Sequence, residues 1–134
     1  LALARFGVNL FFSSPPGLEM PDYIIRTLKE EYSINSYISN DIRDYINEVD
    51  VIYMTRVQRE RLVEAEYLKY RGSYILTKEI LREMKKDAII MHPLPRVDEI
   101  SKDVDLDSRA VYFEQAFFGV PVRMALISIL LGVK

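Results

Sequence analysis

Two short strings in this chain carry residues that could do chemistry, and each follows an apolar run. Thr55-Arg56-Val57-Gln58-Arg59-Glu60-Arg61 sets arginines, a glutamine and a glutamate directly behind Asp50-Val51-Ile52-Tyr53-Met54. Side chains alternate along extended backbone, so Arg56 and Gln58 are expected to point the same way, a planar guanidinium fork beside a neutral amide. That pair suits a carboxylate. The fork gives two parallel hydrogen bonds and keeps its proton, while the amide orients a second oxygen or an amine. A solvated charged turn, with Glu60 paired to Arg56 or Arg61, accounts for the same residues. A phosphate site is a third reading, but no glycine-rich loop stands here to bring backbone N–H groups onto a phosphate.

The second string, His92-Pro93-Leu94-Pro95-Arg96-Val97-Asp98-Glu99, follows Ala88-Ile89-Ile90-Met91. Two prolines around one leucine stiffen the backbone and remove two N–H donors, leaving a row of carbonyl acceptors. Such a row suits a ligand with an NH2 group, which needs acceptors held in place before it arrives. As a bare motif it is also an ordinary rigid turn. His92 has the pKa of a general base, yet a lone histidine at a strand end is more often structural, and no catalytic role is assigned to it. Arg96, Asp98 and Glu99 could anchor the loop, and for Asp98 and Glu99 that structural reading is preferred.

The elements that must position these strings alternate. Residues 1–6 read as the end of a helix. Residues 8–12 form an apolar run that predicts a buried strand, and Pro21 with Asp22 opens a helix through Tyr32. A weak strand near residues 36–38 precedes a helix capped within Ser39-Asn40-Asp41, with Ile42, Tyr45, Ile46 and Val49 on its apolar face. The strands at 50–54 and 88–91 enclose a loop, a short helix near 64–69, and a helix over 77–85 that Thr77 caps. A last helix covers 120–131. Strands alternating with helices imply an α/β fold, a three-layer, doubly wound, mostly parallel sheet whose ligands gather at the carboxyl ends of the strands, where both strings sit.

Composition narrows the functions. The 134 residues have a formal net charge of -2, so no global positive field draws in nucleic acid or an anionic membrane. Without cysteine there is no disulfide, thiolate nucleophile or cysteine-held metal, and a single histidine argues against a metal site. No apolar run looks close to a membrane span of roughly 20 residues, and the opening residues are too few for a signal peptide. A reducing cytoplasm fits. The chain opens inside an Ala/Leu-rich helix without a cap, which reads as a cut from something longer.

The two strings, in this order, with Tyr112-Phe113 and Val120-Pro121-Val122-Arg123-Met124-Ala125-Leu126 behind them, closely resemble the aspartate carbamoyltransferases from end to end. The HPLPRVDEI string is highly specific. The related ornithine enzymes typically have a cysteine after the corresponding histidine, where this chain has Pro93, so aspartate is the favoured acceptor.

The resemblance implies a Rossmann-like C-terminal, aspartate-binding domain over residues 1–134, without the amino-terminal carbamoyl-phosphate domain and without the strand that normally starts this one. It implies that Arg56 and Gln58 bind aspartate carboxylates and that the backbone at Pro93, Leu94 and Pro95 binds the carbamoyl end of carbamoyl phosphate. Glu66 and Tyr67 match positions whose contacts change between activity states. Arg123 matches an arginine tying this domain to the amino-terminal one. The implied reaction carbamoylates the aspartate amine on the route to pyrimidines, with no cofactor and no metal. It is performed by a cytoplasmic homotrimer of catalytic chains, often joined to regulatory chains and allosterically controlled. The family's phosphate-binding arginines and its mobile lysine loop lie outside this sequence, so the chain alone is expected to be inactive. Two other classes remain open: a module that senses aspartate or a related dicarboxylate, and an assembly domain whose apolar helices serve contacts while its motifs stand idle.

Overall fold

A computed structural model describes residues 1–133 apart from Arg59, Arg61, Arg71 and Ser73, and of Glu66 the backbone alone. The apolar runs become four short strands: β1 (Leu10–Ser13), β2 (Ser36–Ser39), β3 (Val51–Tyr53) and β4 (Ile89–Met91). β1 pairs in parallel with β2, Leu10 against Ser36, and β3 in parallel with β4, Val51 against Ile89. Parallel neighbours need crossovers, and helices supply them: α1 (Asp22–Tyr32) between β1 and β2, and α2 (Glu64–Tyr70) with α3 (Lys78–Leu81) between β3 and β4. α4 (Tyr112–Leu131) follows. The fold is therefore α/β with parallel strands, as the alternation of the sequence predicts.

The pairs are not hydrogen-bonded to one another among the described residues, so the single sheet expected from the sequence is instead two two-stranded sheets. The core divides the same way. Ile46, Ile52, Leu76, Leu81, Ile90, Val104 and Tyr112 belong to the larger cluster around β3 and β4. Ala4, Leu28 and Ile34 form a smaller one beneath β1 and α1. The Ser13 and Tyr74 hydroxyls, 2.7 Å apart, link the carboxyl end of β1 to the β3–β4 half. On the far side of β4, Ile90 donates to Arg109 and accepts from Val111, an added parallel bridge at Ala110.

Several local expectations are corrected. β1 is half-buried along its length rather than buried. The helix expected after Asp41 is only a 3-10 turn, Ile42–Asp44: the Asp41 carboxylate accepts from Arg43 N, and Tyr45 then leaves helical backbone at φ -132° and ψ 0°. Its apolar period still operates, since Ile46 is buried and Ile42 and Val49 pack beside it. The helix expected over 77–85 keeps α geometry only in α3 and continues in i to i+3 turns through Met84. Thr77 sits at the N-cap position, but its side chain makes no cap bond. The Arg109 guanidinium closes that segment from outside, donating to the Leu81 and Lys85 carbonyls at 2.9 and 3.1 Å. α4 begins eight positions before the expected 120, because buried Tyr112 anchors its first turn and Pro121 is carried inside it.

α4 also corrects the membrane expectation: at 20 residues with mean hydropathy 1.4 it is long and apolar enough to cross a bilayer. Phe117, Val122, Ile129 and Leu130 are all exposed along it. Glu114 and Arg123 place charge along it, and Pro121 lies inside it.

The loop after β1 turns at Gly17, with φ +95°, and a Cβ there would stand 2.6 Å from the Tyr70 hydroxyl. Gly17→Ala is expected to destabilise the fold by about 1–2 kcal/mol, from left-handed strain plus displacement of Tyr70. A shift in the denaturant midpoint reads this, and an unchanged midpoint contradicts the packing of the loop on α2.

Candidate active site

Because β3 and β4 lie side by side, the segments leaving their carboxyl ends emerge together; Met54 N donates to Met91 O at 2.9 Å, the last rung before both strings diverge. Between them opens a cavity of about 340 Å³. From the first string it is lined by Thr55, Arg56, Val57 and Glu60, from the second by Val97, Asp98 and Glu99, and from the crossover by Tyr67, Tyr70, Gly72 and Tyr74. A cleft at the carboxyl ends of parallel strands is the usual ligand position of such folds.

Arg56 holds a carboxylate already. Its two terminal nitrogens donate to Glu60, Nη1 to Oε2 at 3.1 Å and Nη2 to Oε1 at 2.5 Å, a bidentate pair. The ion pair foreseen as the bland reading is therefore present. Glu60, by hydrogen bond and by charge, raises the Arg56 pKa further above its ordinary value. A guanidinium has five N–H donors, so one face remains for a second carboxylate. Gln58 is exposed and does not line the cavity, so the expected side-by-side fork and amide is not assembled here.

The second string is held from both ends. His92 is 1% exposed. Its Nδ1 accepts from Leu94 N at 2.9 Å, which leaves the ring proton on Nε2, 2.6 Å from Glu99 Oε1. With both nitrogens engaged and the ring buried, His92 braces the turn in this structure. The other Glu99 oxygen accepts from Val97 N and Asp98 N at 3.1 and 3.0 Å. Burial pushes the Glu99 carboxyl up, but the backbone N–H groups of Glu99, Val97 and Asp98 and the His92 ring N–H outweigh it, and the pKa lies below the usual value. Leu94 takes a left-handed backbone at φ +47°. Among the described residues, none of the carbonyls of Pro93, Leu94 and Pro95 accepts a hydrogen bond, which keeps the expected acceptor row open, outside the cavity lining.

Arg96 does not line the cavity; it pairs with the Asp105 carboxylate, and its Nη1 donates to Tyr112 Oη at 3.1 Å. Burial, then the neighbouring Asp105, pushes the Tyr112 hydroxyl up to about 12. This cluster, with Gln115 Oε1 accepting from His92 N at 2.9 Å, ties the second string to α4. Asp105, Tyr112 and Gln115 were not singled out as site supports in the sequence, since no local pattern announces a partner so far along the chain. Tyr67 does line the cavity. The Glu66 side chain lies outside the described residues, and Arg123 is remote, its Nη1 donating to Gly119 O within exposed α4.

The family model for the Asp/Orn binding domain of aspartate/ornithine carbamoyltransferase matches residues 1–130, and the chain belongs to that family. Within it, the chain is similar to aspartate carbamoyltransferase catalytic subunits. It is 54% identical to that of Methanosphaera stadtmanae over 94% of this chain and 41% of that one, and 48% identical to that of Methanocella arvoryzae over 98% and 43%. The solved catalytic subunit of M. jannaschii aspartate transcarbamoylase superposes with a TM-score of 0.85 at 44% identity, covering 96% of this chain and 43% of that one. Aspartate transcarbamoylase from Trypanosoma cruzi, solved with carbamoyl phosphate and aspartate, superposes at 0.79 and 31% identity, covering 89% and 40%. The chain thus spans about two fifths of the length of these relatives.

Proposed function

We propose that this chain is the aspartate-binding domain of an aspartate carbamoyltransferase, which transfers the carbamoyl group of carbamoyl phosphate to the amine of L-aspartate. The observation that carries this reading is Arg56, which leans into the cavity at the β3 and β4 ends with a carboxylate in its fork and donors to spare. In the reaction, the lone pair of the neutral aspartate amine attacks the carbamoyl carbon. The bond from that carbon to the phosphate oxygen breaks as the tetrahedral intermediate collapses, and the amine loses a proton. Phosphate and N-carbamoyl-L-aspartate leave, the latter toward pyrimidine nucleotides.

Arg56 takes an aspartate carboxylate, Gln58 swings in to take a second, and the carbonyl row from Pro93 to Pro95 receives the carbamoyl NH2. The first two lie behind β3 and the row behind β4, so strand pairing brings the two substrates together. Glu66 and Tyr67 on α2 change partners between activity states. Arg123 and the apolar surface of α4 meet the amino-terminal domain, which supplies the cationic groups that stabilise the tetrahedral intermediate. The working particle is a cytoplasmic homotrimer of catalytic chains that regulatory chains join.

The complete subunit is expected to form N-carbamoyl-aspartate from labelled carbamoyl phosphate, while residues 1–134 by themselves give no turnover and elute above monomer size, since α4 and the strand edges are left bare. A complete subunit that carbamoylates ornithine and not aspartate would sink the substrate assignment. A sharp monomer peak for the isolated chain would contradict the role given to α4.

A further inference from the structure

The second string contains one feature that substrate contact does not require. A buried imidazole and a buried carboxylate face each other and between them take up three backbone N–H groups, those of Leu94, Val97 and Asp98. Neither side chain points its polar atoms to solvent, for His92 and Glu99 are 1% and 5% exposed. Both are anchored from behind. Glu99 O accepts from Leu76 N at 2.9 Å, next to the bridge between Leu76 and Ile100, and His92 N donates to the Gln115 side chain on α4.

Between these anchors runs the proline row, which cannot hold itself in place. Proline has no N–H, so Pro93 and Pro95 offer nothing to fasten, and Leu94 is the only residue of the three with a donor. That donor goes to His92 Nδ1, and the Leu94 side chain packs on the core, holding a left-handed backbone that leucine does not adopt unaided. We propose that the His92–Glu99 pair is the positioning device of the carbonyl row: Glu99 fixes the imidazole tautomer, the imidazole fixes Leu94, and the three carbonyls are aimed before the carbamoyl NH2 arrives. The inference rests on the proposed function and adds positioning residues to it. His92 does not line the cavity, and Glu99, which does, spends both carboxylate oxygens on the imidazole and the turn.

The carboxylate is required on stereochemical grounds. Glu99 accepts on both oxygens, one from the ring and one from two backbone N–H groups. Glutamine has the same shape but one accepting oxygen, so either the ring N–H or the two backbone N–H groups meet an NH2 instead.

The test uses the complete subunit and compares wild type with Glu99→Gln, His92→Asn and His92→Ala. Carbamoyl phosphate and aspartate KM values are measured separately, with thermal midpoints alongside. Glu99→Gln is expected to raise the KM for carbamoyl phosphate about tenfold or more, with a clearly smaller change in the aspartate KM, on which Glu99 acts only through its charge near Arg56. His92→Asn keeps an acceptor, its Oδ1, in the place of Nδ1, and is expected to recover a large part of the carbamoyl phosphate affinity that His92→Ala loses. A purely structural pair would shift the midpoint and both KM values together. A Glu99→Gln subunit with wild-type carbamoyl phosphate KM overturns the proposal, as does an equal loss for both substrates. Should Glu99→Gln fail to fold, His92→Asn and His92→Ala decide the matter, and equal KM values in those two refute it. A wild-type subunit that neither binds carbamoyl phosphate nor turns over is read first, and refutes the functional reading itself.

Discussion

Arg56→Ala in the complete subunit is expected to lower kcat/KM for aspartate by roughly 10²–10³-fold while leaving the KM for carbamoyl phosphate within about threefold of wild type. A guanidinium gripping a carboxylate in a partly desolvated cleft contributes two charge-assisted bonds, and losing both costs about 3–4 kcal/mol, which is that fold-change. Arg56→Lys is expected to recover little, because an ammonium is a point donor and cannot reproduce the planar fork. Glu60→Gln separates two roles for the partner. If Glu60 only occupies the fork, its loss improves aspartate binding; if it holds the guanidinium in place, its loss weakens binding by less than Arg56→Ala does. Aspartate kinetics unchanged in Arg56→Ala would remove the carboxylate site from this loop.

The largest effect on stability is expected at Arg109→Ala. Its guanidinium is paired with Asp107, Nη2 to Oδ2 at 2.8 Å and Nε to Oδ1 at 2.9 Å, and also takes the Leu81 and Lys85 carbonyls. Truncation strands a half-buried carboxylate and two carbonyls, for a loss of about 2–4 kcal/mol after allowance for partial solvent access. Chemical denaturation reads the loss, and a change below about 1 kcal/mol would show that the segment after α3 is held otherwise. The same pair gives a pH signature. The Arg109 side chain, against the opposing effect of burial, holds the Asp107 carboxyl at about 2, below its ordinary 3.8. A depressed folded pKa contributes stability that is fully present above the unfolded value and is lost as pH falls toward the folded one. Wild type is therefore expected to lose about 1–2 kcal/mol more than Arg109→Ala between about pH 5 and pH 2. Equal acid sensitivity in the two proteins would contradict the pairing.

The parts of the fold that were legible are those set by neighbours in sequence. α1 spans Asp22–Tyr32 as expected, because Pro21 and Asp22 suit a first turn and Leu28 and Ile24 recur on one face. The four strands appear where apolar runs stand between breakers. Where the reading failed, a distant residue had taken over a local choice. Arg109 ends the segment after α3 by taking its carbonyls, and Tyr112 starts α4 ahead of a glycine and a proline that locally argue against a helix.

For the site, residue types alone indicated a guanidinium fit for a carboxylate and a carbonyl row fit for an NH2 group, since donor and acceptor inventories belong to the residues themselves. Sequence could not decide between a bound ligand and an ion pair at Arg56, because Glu60 one turn away satisfies the same donors; the tertiary structure shows the pair formed beside an open cavity. Nor could it decide the state of His92. Whether a histidine is a base or a brace depends on what meets its two nitrogens, and only the turn that brings Leu94 N and Glu99 back onto the ring settles that. Chemistry that resides in single residues was determined by the sequence, whereas geometry that depends on which residues meet was decided by the chain folding back on itself.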